Sequence, residues 1–230
     1  TKDEYKISTK FLFVGAGGMA ISLLQKAGVE KIRSYGGFPV SGQFLICDNQ
    51  EVIAKHNAKV YGKPSIGSPP MSVPHLDTRV IDGKEVLLFG PFPSFSTKFL
   101  KNGHWTDFFK SLRLSNIFVI ISAGLRNLSL SKYLLKEILR SDRGRFNELL
   151  KYYPSAKYED WNLITAGQRV QVIKKENGIP IIEFGTETVV SEDKSLAAVL
   201  GASPGASVSV NIALDLIEKC FECDLYKDKI

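Results

Sequence analysis

The sequence predicts an α/β chain, and three observations carry that expectation. A strand–glycine turn–helix pattern stands near each end, short alternating strands fill much of the interval, and a helical stretch interrupts them. The 230 residues suffice for one large domain or two small ones with a sizeable core. Apolar residues make up 44% and charged residues 23%, a globular composition that excludes disorder, collagen-like repeats and a multi-span membrane protein.

The first strand is the aromatic and β-branched run Phe11-Leu12-Phe13-Val14, which breaks at Gly15-Ala16-Gly17-Gly18. Ile21, Leu23, Leu24 and Ala27 then predict a helix ending at Gly28. Phe38 to Ile46 reads as a strand entered through Gly36-Gly37 and Pro39. Tyr61 to Pro74, with its Pro69-Pro70 pair, reads as a long loop. Thr78–Ile81 and Val86–Phe89 pair as a hairpin across Asp82-Gly83. From Ser115 to Tyr153 the period becomes helical. Strands return at Gly167–Lys174, Ile179–Phe184, Val189-Val190 and Ala197–Leu200. After the turn Gly201–Ser207 a last helix sets Val210, Ala213, Leu214, Ile217 and Phe221 on one face.

Thirty Lys and Arg against 24 Asp and Glu give a net charge of +6. An excess this thinly spread favours an anionic small substrate or an anionic surface and is no nucleic-acid signature. Three cysteines, Cys47, Cys220 and Cys223, form no even disulfide framework, so a reducing compartment is expected. Thr1 to Lys10 is polar and mixed in charge, unlike a targeting segment. The longest largely apolar stretch, Ile117–Ala123, is far shorter than the roughly 18–20 residues that span a bilayer. The expectation is a protein that is soluble, or peripheral at most.

Gly15-Ala16-Gly17-Gly18-Met19-Ala20 fits the dinucleotide fingerprint in its proper setting, after a strand and before a helix. Backbone N–H groups at such a helix start cradle a pyrophosphate. The acid expected about 20 residues on is missing: Glu30 lies past the helix, and Asp48 ends a strand too far along. A turn that only lets strand and helix pack closely is the alternative. Gly201-Ala202-Ser203-Pro204-Gly205-Ala206-Ser207 is a second turn of the same kind, with Ser207 placed to cap a helix. The two turns read either as loops meeting on one cofactor or as unrelated tight turns.

Between them, Val73-Pro74-His75-Leu76-Asp77-Thr78-Arg79 puts a proton acceptor beside a carboxylate-binding fork. Arg169 alternates with apolar neighbours, on a solvated face or aimed into a cavity; the solvated face is the commoner case. His56 and His104, in polar surroundings, read as surface histidines. Cys220-Phe221-Glu222-Cys223 lacks the second pair a zinc site needs and ends a helix where a redox motif would start one. No G-x-S-x-G elbow and no P-loop occurs. Lys132–Arg140 reads as a core-facing helix with a solvated back, or as a helix lying on an anionic membrane.

The strings FLFVGAGG (11–18), LLQKAG (23–28), GGFPVSGQF (36–44), AKVYG (58–62), PPMSVPHLDTR (69–79), Gly90-Pro91-Phe92, FSTKFLKNG (95–103), AGQRVQVI (166–173) and LGASPGAS (200–207) occur in order along nearly the whole chain. In these the chain resembles malate:quinone oxidoreductase. The resemblance implies part of a glutathione-reductase-type FAD domain plus a substrate domain with a mixed or antiparallel sheet and helices. On that pattern residues 1–35 and 179–230 belong to the FAD domain and 36–178 to the substrate domain.

Family members open with a G-x-G-x-x-G fingerprint well before FLFVGAGG, so the chain resembles the C-terminal portion of a longer enzyme. Gly15, Ala16 and Gly17 then correspond to a later turn near the cofactor, and Gly201, Ser203, Pro204, Gly205, Ala206 and Ser207 to the turn nearest the flavin. The resemblance further implies malate carboxylates on Arg79 and Arg169. It places His75 near the substrate, and chemistry makes it the candidate base for the C2 hydroxyl. Electrons would pass through FAD to a quinone, in a step of the tricarboxylic acid cycle. The enzyme would work in the cytoplasm, peripheral on the inner face of the cell membrane, without nucleic acid. The alternatives are another FAD-dependent 2-hydroxyacid oxidoreductase, a nicotinamide-dependent dehydrogenase, and a fragment that holds no FAD and is catalytically incompetent.

Overall fold

The computed structural model describes residues 4–62, 73–183, 185–201 and 207–221. Most of the loop expected at 61–74, the turn residues 202–206 and Cys223 lie outside them. In chain order the elements are β1 (Leu12–Val14), α1 (Ala20–Lys26), β2 (Gly36–Cys47), α2 (Gln50–Ile53), β3 (Val60–Tyr61), β4 (His75–Ile81), β5 (Lys84–Phe95), α3 (Asp107–Ser111), α4 (Leu114–Arg126), α5 (Leu128–Ile138) and α6 (Asp142–Leu149). They continue with β6 (Asn162–Glu176), β7 (Ile179–Glu183), β8 (Thr186–Val190), β9 (Leu196–Gly201) and α7 (Ser209–Phe221). Helices and mixed sheets give the expected α/β class. Contacts divide the chain into two units, residues 1–38, 108–121 and 170–230, and residues 39–107 and 122–169.

In the first unit a three-stranded sheet has the order β1-β9-β8. β1 runs parallel to β9, with Leu12 opposite Leu196 and Val14 opposite Ala198, and β8 is antiparallel to β9. Ala197 packs with Leu216 and Cys220 of α7 and, around them, Phe11, Val190, Val199 and Ile212. The helix thus turns Ile212, Leu216 and Cys220 inward, at spacing four. The expected face is not the packed one, since Val210 and Phe221 are exposed. α7 carries apolar residues on two stripes, and periodicity alone does not choose between them. Part of the second stripe, Ala213, Ile217 and Phe221, lines an apolar groove of about 520 Å³ with Phe11, Phe13 and Val199.

A polar knot fastens α4 in this unit. The Nδ2 of Asn116, fully buried, donates to the carbonyls of Tyr35 and Ser111 at 3.0 Å each, and its Oδ1 accepts from the Arg113 N–H at 2.9 Å. An amide buried this deeply is tolerated because it is bonded on both ends.

The larger sheet has the strand order β3-β4-β5-β2-β6-β7. β3, β4 and β5 belong to the second unit and β7 to the first, while β2 and β6 carry residues of both. The expected hairpin is present. Ile81 faces Lys84, and both turn residues, Asp82 (φ 50°) and Gly83 (φ 78°), are left-handed, the pattern of a two-residue type I′ turn. The core beside it joins Leu45, Leu76, Leu87, Phe89 and Phe92 of the sheet to Phe146, Leu149 and Trp161. The Phe89 ring lies 4.9 Å from that of Tyr152 and 5.6 Å from that of Phe92. Burial of these rings stabilises this unit.

α5 overturns the core-facing expectation for Lys132–Arg140. Glu137 is the buried residue, whereas Leu135, Ile138 and Leu139 are exposed. Glu137 accepts from Arg140 Nη2 at 2.6 Å, and Arg140 Nη1 reaches Glu148 at 3.1 Å, so an ion network holds the inner side of the helix. Among the described residues no single helix is long and apolar enough to cross a membrane.

Gly201 gives the sharpest test of this packing. Its φ is +92°, and a Cβ there would overlap the carbonyl oxygen of Gly185. Gly201→Ala is expected to lower stability by at least about 2 kcal/mol in denaturant titration. Gly167→Ala, where a Cβ meets open space, is the control and should be neutral or slightly stabilising. Equal midpoints for the two variants would contradict the packing.

Candidate functional site

In the first unit, parallel pairing puts the C-terminal ends of β1 and β9 on the same sheet edge. Each end runs directly into one of the glycine turns. Gly15, Ala16 and Gly17 follow β1, with Gly17 at φ +53°, and Gly201 closes β9. Met19 N–H donates back to the Ala16 carbonyl at 3.1 Å, closing the first turn ahead of α1. Of the second turn, Ser203, Pro204, Gly205 and Ala206 lie outside the described residues, and Ser207 is exposed. The carboxyl edge of parallel strands is where open α/β sheets bind ligands. Left-handed glycines let backbone approach a ligand where a side chain would intrude. Gly15, Ala16, Gly17 and Gly201 therefore stand at that edge, the glycine at 201 being required by the Gly185 carbonyl beside it.

The second unit assembles the other candidates on β4. Residues 75, 77 and 79 share one face of the strand by alternation. His75, half-buried, pairs in register with Tyr61 of β3 and Gly90 of β5. Its imidazole stacks on the Tyr61 ring at 4.9 Å and 26°, and the Phe44 ring meets it edgewise at 6.4 Å. A Cβ at Gly90 would lie 2.7 Å from Phe44 Cδ1, so this glycine makes room for that ring. Burial is the main cause that lowers the His75 pKa from its usual 6.5, and the charges of Lys59 and Arg79 add to it. The imidazole is neutral at pH 7, as a base must be.

Arg79 is exposed and donates Nε to Asp77 Oδ2 at 2.9 Å, while Lys59 Nζ approaches the same oxygen at 3.2 Å. The two cations hold the Asp77 carboxyl below the usual range against the opposing effect of its partial burial. Two positive groups on one carboxylate leave a net positive charge beside His75. Lys59 and Asp77, with His56, Asn57, Thr78 and Glu85, line a polar cavity of about 290 Å³. His56 is not the surface histidine expected: its Nε2 is buried without a hydrogen-bond partner, because the side chain folds against this cavity. His104 is exposed, as expected.

Arg169 is exposed on β6. β5 and β2 separate its strand from that of His75, three spacings or roughly 14 Å. Thus His75 and Arg79 share one strand face and Arg169 stands apart. Sequence reasoning missed Lys59, Tyr61 and Phe44 as neighbours of His75. Their signal was present, since Lys59 and Tyr61 belong to AKVYG and Phe44 ends GGFPVSGQF, but β3 is two residues long and strand periodicity does not register it. Cys47 and Cys220 are buried, which pushes both thiols up and away from thiolate chemistry.

Removing the ring that covers His75 by Tyr61→Ala should raise its pKa toward 6.5, read from imidazole C–H resonances by NMR, with His75→Gln for assignment. The folded pKa is depressed, so the His75 contribution to stability is complete above pH 6.5 and declines as pH falls through the folded value. A native His75 that titrates at or above 6.5 contradicts the stacked, desolvated geometry.

The family model described as malate:quinone oxidoreductase matches residues 1–230. A protein of Flavobacterium psychrophilum, described as a probable malate:quinone oxidoreductase, is 58% identical over 96% of the chain and 45% of its own length. One from Helicobacter hepaticus with the same description is 57% identical over 95% of the chain and 44% of its own length. A third, from Wigglesworthia glossinidia brevipalpis, is 56% identical over 96% and 43%. The chain spans somewhat less than half the length of these relatives. With a match over all 230 residues and identities well above half, the chain belongs to the malate:quinone oxidoreductase family.

Proposed function

We propose that the chain contributes to an enzyme that oxidises (S)-malate to oxaloacetate and passes the electrons through FAD to a membrane quinone. The observation that carries this reading is the shared carboxyl edge of β1 and β9, from which both glycine turns start, in a chain of this family. Gly15, Ala16, Gly17 and Gly201 would hold FAD, together with Ser203, Pro204, Gly205, Ala206 and Ser207 of the second turn. When bound, FAD supplies a two-electron acceptor. A helix N-terminus behind such a turn favours negative charge in front of it.

His75 takes the proton of the C2 hydroxyl. Burial disfavours the cationic imidazole, and a neutral imidazole keeps a lone pair on one ring nitrogen. Arg79 holds a malate carboxylate with the donors that Asp77 does not engage, and the excess positive charge of Lys59 and Arg79 over Asp77 favours the dianion. Arg169 is the second carboxylate ligand, reaching the substrate from β6. Loss of the hydroxyl proton and of the C2 hydrogen with its electron pair turns the alcohol into the ketone. The enzyme works in the cytoplasm against the inner face of the cell membrane, where a quinone is within reach.

The test uses a full-length family protein that contains this chain. The flavin band should survive desalting and be bleached by malate. His75→Gln should lower kcat by about 10²–10⁴ with little change in KM, whereas Arg79→Ala and Arg169→Ala should raise KM at least tenfold. Bleaching by a different 2-hydroxy acid alone would move the reading to another FAD-dependent 2-hydroxyacid oxidoreductase. Flavin retained by the long protein but not by the 230-residue chain would make the chain by itself catalytically incompetent, a result the open groove beside Phe11 and Phe13 favours. A long protein without flavin overturns the proposal.

A further inference from the structure

A carboxylate seat is built on the His75 face of the second unit, and the chain's own Asp77 fills it. Two cations converge there on one oxygen. Arg79 Nε donates to Asp77 Oδ2 at 2.9 Å, and Lys59 Nζ reaches the same atom at 3.2 Å. Arg79 starts two pleat repeats from His75, about 14 Å along β4, and its side chain turns back to meet Asp77 midway. Lys59 arrives from the neighbouring segment. Its ammonium also lies 5.4 Å from the centre of the Tyr61 ring, the ring that stacks on His75. The seat is thus level with residue 77, one pleat repeat or about 7 Å from His75 along the strand.

Asp77 does not exhaust these donors. Its side chain is 14% exposed, against 43% for Lys59 and 47% for Arg79, so both cations keep N–H groups open to solvent. The register sets Lys84 opposite Ile81, which by alternation shares the face of Asp77 and Arg79. Three cations, Lys59, Arg79 and Lys84, therefore stand on this face with one acid. Glu85, the other acid lining the adjoining cavity, pairs with Val80 on the opposite face. Exposed ion pairs stabilise a fold little. A lysine point charge and an arginine fork aimed at one spot are what carboxylate recognition requires.

We propose that Lys59 and Arg79 form a two-cation seat for a carboxylate of a dicarboxylic acid, and that Asp77 holds this seat as an intramolecular competitor which the incoming carboxylate replaces. A four-carbon hydroxydicarboxylate seated here brings its hydroxyl toward His75 and leaves its other carboxylate for a further cation. Asp77 makes the seat selective. A monocarboxylate only substitutes one negative charge for another, whereas a dianion adds a second, which the excess of Lys59, Arg79 and Lys84 attracts. The proposal rests on the reading of a dicarboxylate substrate beside His75, but its measurement uses neither flavin nor turnover.

The experiment titrates the 230-residue chain at pH 7 with sodium succinate, and separately with sodium propionate, against sodium chloride at matched ionic strength. The readout is the imidazole C–H resonances of His75, with those of the exposed His104 as reference. Succinate should move His75 and leave His104 in place. Lys59→Gln should weaken succinate binding about fivefold, whereas Asp77→Asn should tighten it about tenfold. In the Asp77→Asn background Lys59→Gln should cost more than in the parent, because Lys59 is no longer engaged by Asp77. Lys59→Gln replaces an exposed side chain and tests the seat by itself if Asp77→Asn lowers the melting temperature. An Asp77 that only orients Arg79 gives the opposite sign, so weaker binding by Asp77→Asn overturns the proposal. So do a His75 that succinate does not move, unchanged binding by Lys59→Gln, and propionate bound as tightly as succinate by the parent chain. A long protein that keeps flavin but is not bleached by malate fails the oxidation reading and leaves the seat to another dicarboxylate. A seat that fails here leaves the flavin and malate result standing.

Discussion

The parallel pairing of β1 with β9 is the constraint on which the candidate cofactor site depends. Three residues near the start of the chain must find their partners beyond residue 195. Closing a loop of that size has an entropic cost that grows only slowly with length, and small, fully buried side chains at Ala197 and Ala198 let the strands and the α7 packing close tightly. The pairing also determines where the glycine turns emerge. Were the two strands antiparallel, the turns after Val14 and Gly201 would leave from opposite edges of the sheet. Because they are parallel, both leave from one edge, and Gly201 ends its strand where any Cβ would meet the Gly185 carbonyl.

The second unit reaches its chemistry by a different route. An antiparallel hairpin with a tight type I′ turn fixes the register of β4, and register fixes which side chains share a face. His75, Asp77 and Arg79 then stand in a row. The hydrophobic core lies under Leu76, between the first two. Aromatic rings at positions 61 and 44 take water away from the imidazole, while Lys59 and Arg79 disfavour its cationic form. Desolvation and like charge act in the same direction here, so His75 is neutral for two independent reasons. Asp77 acts in the opposite sense. It consumes part of the positive charge and orients Arg79, leaving an excess rather than a void.

Much of this was legible in the sequence where local rules decide. The glycine turns, the Asp82-Gly83 hairpin and the helical middle follow from backbone chemistry and apolar period, and the alternation in His75-Leu76-Asp77-Thr78-Arg79 gives the shared strand face. The rest depends on tertiary choices. Helix α7 has two apolar stripes, and only the position of β9 selects Ile212, Leu216 and Cys220. That β5 and β2 separate Arg169 from His75 is a property of strand order, which no local pattern contains. Phe44 comes near His75 through the absence of a side chain at Gly90 on a neighbouring strand.

Helix α5 is where reading and structure diverge most, and the divergence has physical content. A helix in water gains by turning leucine inward and glutamate outward. Here Glu137 is buried instead, at a desolvation cost met by Arg140, which in turn engages Glu148, itself bonded to Lys151 at 2.8 Å. Such a network makes the inversion tolerable, but it does not make leucine favourable in water. The apolar period of α5 is correct for a helix, yet its most buried residue is Glu137, whereas α4 buries Val119 and Ala123 beside Asn116 and leaves a second apolar stripe exposed. On both helices the period identifies the helix without choosing which side the rest of the fold covers.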